Sequence, residues 1–329
     1  MRRPLPHRGL LVVDRVGQQL GNYQLIQLLG QGSLAEVYLG GHIHIGTLAA
    51  IKVLHAQLSS EDIALFRREA RVIASLIHPN IVRVLDFGIE DQTPFLVMDF
   101  APHGTIRQRY PRGTLLPVSN AVSYTRQVAD ALQFAHDERV VHRDVKPENL
   151  LLGRRHEILL SDFGIAVLMH RPHDYNPYNT AGTLRYMAPE QLQGQPCLAS
   201  DQYALAIVVY EWLCGRCPFE GSSAMEVAMQ HLSHAPQPLR ELVPTIPAPV
   251  EQVVVKALAK DPQERFASII DFAEALELAG GSGEITASAH PLGIEAHSST
   301  ETPPGLSEDS FSTLPTSSSD EWLSLDDGS

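Results

Sequence analysis

No apolar run in this 329-residue chain is long enough to cross a bilayer, which takes about 20 such residues. The apolar stretch 10–13, near a basic N-terminus, is also too short for the core of a signal peptide. The expected setting is the cytoplasm, without an anchor. Cysteine is scarce, and three residues (Cys197, Cys214 and Cys217) do not make a secreted disulfide framework. Cys214-Gly215-Arg216-Cys217 has redox spacing, but it follows a helical pattern instead of a strand, so a structural role is expected. From Gly280 onward there is no Lys or Arg, and nine acidic residues there supply −9 of the net −13. A near-neutral body with an acidic tail argues against nucleic acid as a main partner. The tail, 280–329, is rich in Ser, Thr, Pro and Gly. It has too little apolar surface to offset chain entropy and is expected to be disordered.

What is present is patterned. Hydrophobic residues make up 44% of the chain, enough for a sizeable core. Spans 23–29, 35–42 and 47–54 read as short strands rich in Leu, Ile, Val and Tyr. A helix is predicted over 60–76, with Ser59 or Ser60 as N-cap and Glu61 and Asp62 in the first turn. It should stop before His78-Pro79, because a residue preceding proline disfavours helix. Apolar runs at 81–87 and 94–100 complete a small antiparallel sheet with one major helix. Beyond Phe100 the period becomes helical: Ala121, Tyr124, Val128, Leu132 and Ala135 share a face, with Ser119 as cap. Further helices are expected near 199–214, 223–231, 249–259 and 268–278.

The chemistry concentrates in His142-Arg143-Asp144-Val145-Lys146-Pro147-Glu148-Asn149, followed thirteen residues later by Asp162-Phe163-Gly164. Together they supply a proton acceptor, a cation to neutralise phosphate and two metal-binding side chains. Phosphoryl transfer from ATP to a hydroxyl requires that set. Upstream, Gly30-Gln31-Gly32-Ser33-Leu34-Ala35-Glu36-Val37 lets backbone N–H groups approach a phosphate, although a plain hairpin bend reads the same way. The turn joins strand to strand, so a dinucleotide fold, which needs strand then helix, is disfavoured. Lys52 sits in an otherwise apolar strand. As a buried ammonium it needs a partner, and Glu69, mid-helix, is the best candidate; the plainer reading is a surface lysine on an edge strand.

With these motifs in order, the chain resembles a eukaryotic-like Ser/Thr protein kinase of the bacterial type over 23–278. The resemblance implies an α+β, two-lobed protein kinase fold: an N-terminal extension 1–22, a β-rich N-lobe 23–98, a helical C-lobe 99–279 and the tail. ATP is then expected below the glycine-rich loop, with Leu29, Gly30, Gln31, Gly32, Val37 and Ala50 around it. Met98 would be gatekeeper and Asp99 to Ala101 the hinge. Lys52 would contact the α- and β-phosphates and pair with Glu69. Asp144 would accept the substrate hydroxyl proton, and Lys146 would offset charge on the γ-phosphate. Asn149 and Asp162 would hold Mg²⁺, with Mn²⁺ as the alternative ion. Lys146, two residues past Asp144, favours Ser/Thr over Tyr.

The resemblance also assigns a peptide-docking module, Gly182 to Glu190, which points to protein substrates. There Thr183 shapes the hydroxyl site and Glu190 pairs with Arg265. Asp201 should bind the backbone of the catalytic loop, cap its own helix, or do both. Ile73, Val84, His142 and Phe163 form the implied packing column, which makes His142 core rather than catalytic. Arg143 beside Asp144 is a control point for a phosphate, with Thr180 as leading phosphosite and Thr183 as runner-up. Autophosphorylation would involve self-association. Two competing readings are a pseudokinase scaffold and a small-molecule phosphotransferase. The first usually loses one of Lys52, Glu69, Asp144, Asn149 or Asp162, and the second generally lacks the docking module.

Overall fold

A computed structural model describes residues 15–32, 35–55, 58–163 and 184–281. Its first layer is a six-stranded antiparallel sheet in the order β1-β2-β3-β4-β6-β5. The strands are β1 (Gln19–Leu20), β2 (Tyr23–Gln31), β3 (Ala35–His42), β4 (Leu48–Leu54), β5 (Val84–Glu90) and β6 (Thr93–Asp99). Between β4 and β5 runs α1 (Ser60–Ser75), started by a capping box. Ser59 Oγ accepts from the Asp62 N–H and the Asp62 carboxylate accepts from the Ser59 N–H, so two otherwise orphaned donors are satisfied. Phe66, Ala70 and Ile73 form the buried stripe of α1, and Phe66 meets Phe87 of β5 edge-on at 6.1 Å.

The expected strand 81–87 is shifted. Its first residues leave the sheet because the Val82 N–H donates to Leu160 O at 2.9 Å, across to the second lobe. That lobe contains α2 (Ile106–Arg109), α3 (Val118–Asp137), the hairpin β7 (Leu150–Leu152) and β8 (Ile158–Leu160), α4 (Pro189–Leu192) and α5 (Leu198–Cys214). It continues through α6 (Ala224–Ser233), α7 (Leu239–Leu242), α8 (Ala248–Ala257) and α9 (Ile269–Gly281). The predicted cap of α3 is displaced: Pro117, not Ser119, occupies the N-cap position, since its fixed φ sets the entry and leaves Ser119 in the first turn.

Nearly all of α5 is buried, from Ser200 through Leu213. An all-round apolar helix of this kind is the axis of a core rather than one wall of it. It ends at Gly215, whose φ of +80° is left-handed. A Cβ there would also come within 3.1 Å of the Gly113 carbonyl, so conformation and space both require glycine. The expected structural role of the cysteines agrees with their surroundings. Cys217 is buried and its thiol is pushed up to about 12, chiefly by burial; Cys214 is raised by the same cause.

Candidate active site

The loop after α3 gathers the polar residues singled out in the sequence. Lys146 Nζ lies 2.8 Å from Asp144 Oδ2. The Asn149 side-chain amide donates to Asp144 Oδ2 at 3.0 Å and to the Asp144 carbonyl at 2.8 Å. One carboxylate is thus aimed by a cation and an amide donor. The 3₁₀ turn Pro147–Asn149 carries Asn149 back beneath Asp144, and the Asn149 carbonyl accepts from both the N–H and the hydroxyl of Ser161. That link ties the loop to the segment bearing Asp162.

His142 is fully buried. Its Nε2 faces the Ser161 carbonyl at 2.8 Å and its Nδ1 accepts from the Asp144 N–H at 3.2 Å. A carbonyl can only accept and an N–H can only donate, so the ring holds the Nε2–H tautomer and serves as a brace. It stands 4.5 Å from the Phe163 ring, while Ile73, Val84 and Phe163 belong to one buried cluster. All four residues expected in the packing column are buried.

Asp201 anchors this loop from α5. Its carboxylate accepts from the backbone N–H groups of His142 and Arg143, both at 2.8 Å, and contacts His136 Nε2 at 2.8 Å. The alternative of capping its own helix is not used, because the N-cap is Cys197. Arg143 has a φ of +66° and Asp162 one of +68°. For non-glycine residues this conformation costs of order 1–3 kcal/mol and persists only where neighbours over-determine it. At Arg143 they do: Asp201 takes its N–H and Gln191 Nε2 donates to its carbonyl at 2.7 Å.

Lys52 differs from expectation. Its ammonium is 2.7 Å from Asp162 Oδ1, and no ion pair joins it to Glu69, which stays half-buried on α1. Both carboxylates compete for one cation, and the one brought closest by the 162–163 segment wins. Burial alone would raise the Asp162 carboxyl, but the charge and hydrogen bond of Lys52, helped by Lys146, hold it below the usual carboxylate range. Asp162 is thereby kept ionised.

Around the glycine-rich turn, Gly30 pairs with Val37 and Gln31 with Glu36, and the Gly32 N–H closes the turn on the Ala35 carbonyl at 2.8 Å. Ala50 pairs with Met98, and both are buried with Ala101 nearby in sequence at the hinge; Leu29 and Val37 are more open. Ser33, Leu34, Gly164, Thr180, Gly182 and Thr183, together with the tail from residue 282, lie outside the described residues, while Gly280 and Gly281 end α9.

One buried network had no signal in the sequence. Arg107, on the four-residue α2, donates to Glu148 at 2.9 Å, to Glu211 at 2.8 and 3.0 Å and to the Tyr186 hydroxyl at 2.6 Å. Tyr186 in turn donates to Glu211 at 2.6 Å. Burial would lower the Arg107 guanidinium, yet Glu211, Tyr186 and Glu148 together outweigh it and drive the value up. Through Arg107, Glu148 is thus joined to Glu211 on α5 and to Tyr186. The second distant pair was expected: Arg265 grips Glu190 with two bonds of 2.8 Å.

This geometry coincides with a family match. The profile of the protein kinase domain fits residues 23–277. The chain belongs to that family. The kinase domain is similar to serine/threonine-protein kinase PrkC of Bacillus subtilis, 35% identical over 260 residues, covering 78% of this chain and 40% of that protein. It is 40% identical over 275 residues to serine/threonine-protein kinase Pkn1 of Myxococcus xanthus, covering 80% and 39% of the two chains. Serine/threonine-protein kinase PknF of Mycobacterium tuberculosis is 40% identical over 282 residues, covering 82% and 58%. The chain thus spans roughly two-fifths to three-fifths of the length of these relatives. No helix among the described residues is long and apolar enough to cross a membrane.

Proposed function

We propose that this kinase domain transfers the γ-phosphate of ATP to serine or threonine hydroxyls of proteins, within the non-specific Ser/Thr protein kinase class. The observation that carries the reading is the Asp144–Lys146–Asn149 cluster, braced by Asp201 and set beside an ionised Asp162. Asp144 accepts the proton as the hydroxyl attacks phosphorus, and Lys146 balances the charge that builds on the transferred group. Leu29, Gly30, Gln31, Gly32, Val37, Ala50 and Met98 enclose the base and phosphates of ATP, with the backbone of Asp99 and Ala101 meeting the adenine.

The donor set for a metal is one carboxylate and one amide. Asn149 commits its nitrogen to Asp144, which leaves its amide oxygen as the ligand atom. Mg²⁺ takes such a pair together with substrate phosphates, so Asn149 and Asp162 fit it. When bound, the ion neutralises charge developing on the phosphates. The residues themselves orient the acceptor hydroxyl and hold Lys52 near the phosphate end of the cleft.

Purified protein incubated with γ-labelled ATP and Mg²⁺ should label itself and a generic protein, with label recovered as phosphoserine or phosphothreonine. Nucleotide binding without any transfer would sink the proposal in favour of a binding scaffold. Lys52→Met is expected to reduce the rate by roughly 10²-fold through lost phosphate positioning, read as initial velocity at saturating protein substrate. Arg143 Nε is buried and has no partner among the described residues, which keeps Thr180 as the proposed source of a phosphate. Thr180→Ala should lower both the rate and the phosphate count by mass spectrometry. A variant equal to the parent in both rejects that site.

A further inference from the structure

A cleft of about 420 Å³ lies where the 77–83 loop, the end of β6 and the β7–β8 turn meet. It shares only Asp99 and Phe100, both of the hinge, with the segments assigned above to the nucleotide. Its apolar floor includes Ile77, Pro79 and Leu159, and Ile77 is 64% exposed. Two guanidinium groups, Arg83 and Arg154, line the same cleft. No ion pair or side-chain hydrogen bond engages either arginine among the described residues.

Two of the other ionisable groups of the cleft, Glu157 and His78, have settled roles. Glu157 accepts from the Arg155 N–H at 2.7 Å and closes the turn. The backbone of Asp99 is fixed by its N–H on the Arg83 carbonyl at 2.9 Å, and its exposed carboxylate is one acidic group the cleft sets against the two arginines. His78 stacks on Phe134 at 5.3 Å and accepts from the Asn80 N–H; burial holds its pKa below the ordinary value, against a weaker opposing effect of Asp130. The cleft is also pre-formed. Leu160 N–H donates to the Asn80 carbonyl, Val82 N–H to Leu160 O, and Asn80 Nδ2 to the Ile158 carbonyl at 2.8 Å. Both arginines therefore stand on one hydrogen-bonded framework.

We infer that this cleft binds a phosphorylated serine or threonine of a protein segment, its phosphate met by Arg83 and Arg154 and a flanking apolar residue seated on Ile77 and Pro79. Guanidinium matches phosphate oxygens in a fork, and a phosphorylated side chain brings about −1.5 to −2 charge. A lone carboxylate brings half that charge, and free phosphate leaves the apolar floor unused. The choice of a phosphorylated residue rests on the proposed transfer reaction, which makes that group; the cleft itself does not depend on it.

The probe is a short fluorescent peptide with one phosphothreonine flanked by leucines, added to the full chain with its nucleotide site filled by a non-hydrolysable ATP analogue. Binding is expected, and Arg83→Gln and Arg154→Gln should each weaken it by at least about tenfold, the usual loss for a charge-assisted hydrogen bond. Both side chains are exposed, and a melting curve checks that the variants stay folded. Ile77→Ser should weaken the peptide while leaving competition by inorganic phosphate unchanged. Arg143→Gln should leave peptide binding intact. Loss of binding in Arg143→Gln, equal binding of the unphosphorylated peptide, equal affinity for inorganic phosphate, or indifference to both arginine variants each overturns the inference. Transfer is assayed in parallel: a parent that phosphorylates protein yet ignores the peptide sinks the cleft alone. A parent that binds the peptide without transferring phosphate upholds the cleft and rejects the catalytic reading.

Discussion

Asp144→Asn is expected to lower the rate of phosphate transfer by ~10²–10⁴, the usual contribution of a positioned acid–base group. The substitution preserves size and an acceptor oxygen, so Asn149 can still donate to residue 144. What disappears is the basic carboxylate, and with it the charge partner of Lys146 at 2.8 Å. The fall should appear in kcat with KM for ATP little changed, because Asp144 acts on the hydroxyl and not on the nucleotide. Thermal stability should stay near that of the parent, since the carboxylate is partly exposed. Initial rates at saturating ATP provide the check. A variant within about threefold of the parent would remove Asp144 from the chemistry.

The second large effect concerns stability. Arg265→Ala is expected to cost about 3–5 kcal/mol, as does removal of one partner from other buried ion pairs. The Arg265 side chain is fully buried. Besides Glu190 it satisfies the carbonyls of Ala199, Ala259 and Lys260, and its guanidinium lies 4.9 Å from the centre of the Tyr203 ring. Truncation strands a buried carboxylate and several acceptors at once. At about 2–4 °C per kcal/mol for a domain of this size, the melting temperature should drop by roughly 10 °C. Burial would raise the Glu190 carboxyl, but Arg265 and the Ser200 hydroxyl overcome it and hold it below its ordinary 4.5. Its folded value is depressed, so its stabilisation is full above 4.5 and fades as pH falls through the folded value. Glu190→Gln should flatten that acid limb of the stability curve. An Arg265→Ala protein melting within a degree or two of the parent would make the pair incidental.

The parts legible in the sequence are those with a local signal. The capping box at Ser59 and Asp62, the helical stripe of α3 and the alternating strands of the sheet each announce themselves over a few turns or pleats. So does the catalytic loop, whose residues lie within eight positions. Short elements do not: α2, α4 and α7 are four residues each and β7 and β8 three, less than one readable period. Arg107 was invisible for that reason, since a single charge on one helical turn says nothing of partners 79 and 104 residues away. Lys52 shows a different limit. That it needed a carboxylate followed from its apolar strand, but the choice between Glu69 and Asp162 is settled by where α1 and the 162–163 segment sit. Sequence spacing cannot rank those two placements. The Glu190–Arg265 pair was foreseen only because both ends fall in recognisable motifs.

The bonds that join Asn80 and Val82 to Ile158 and Leu160 have a mechanical consequence. The tail end of α1 is pinned to the helical lobe a few residues beyond Leu76, while beside the capped start of the helix the Leu58 N–H donates to the Gln92 carbonyl, between β5 and β6, at 3.1 Å. Any displacement of α1 relative to the second lobe would pivot at its C-terminal end, with travel growing along the lever toward Ser59. Ile73, close to the pivot, keeps its place in the packing column, and Glu69 sweeps a wider arc one turn further out. A small rotation changes the distance from Glu69 to Lys52 without dismantling the core around Ile73.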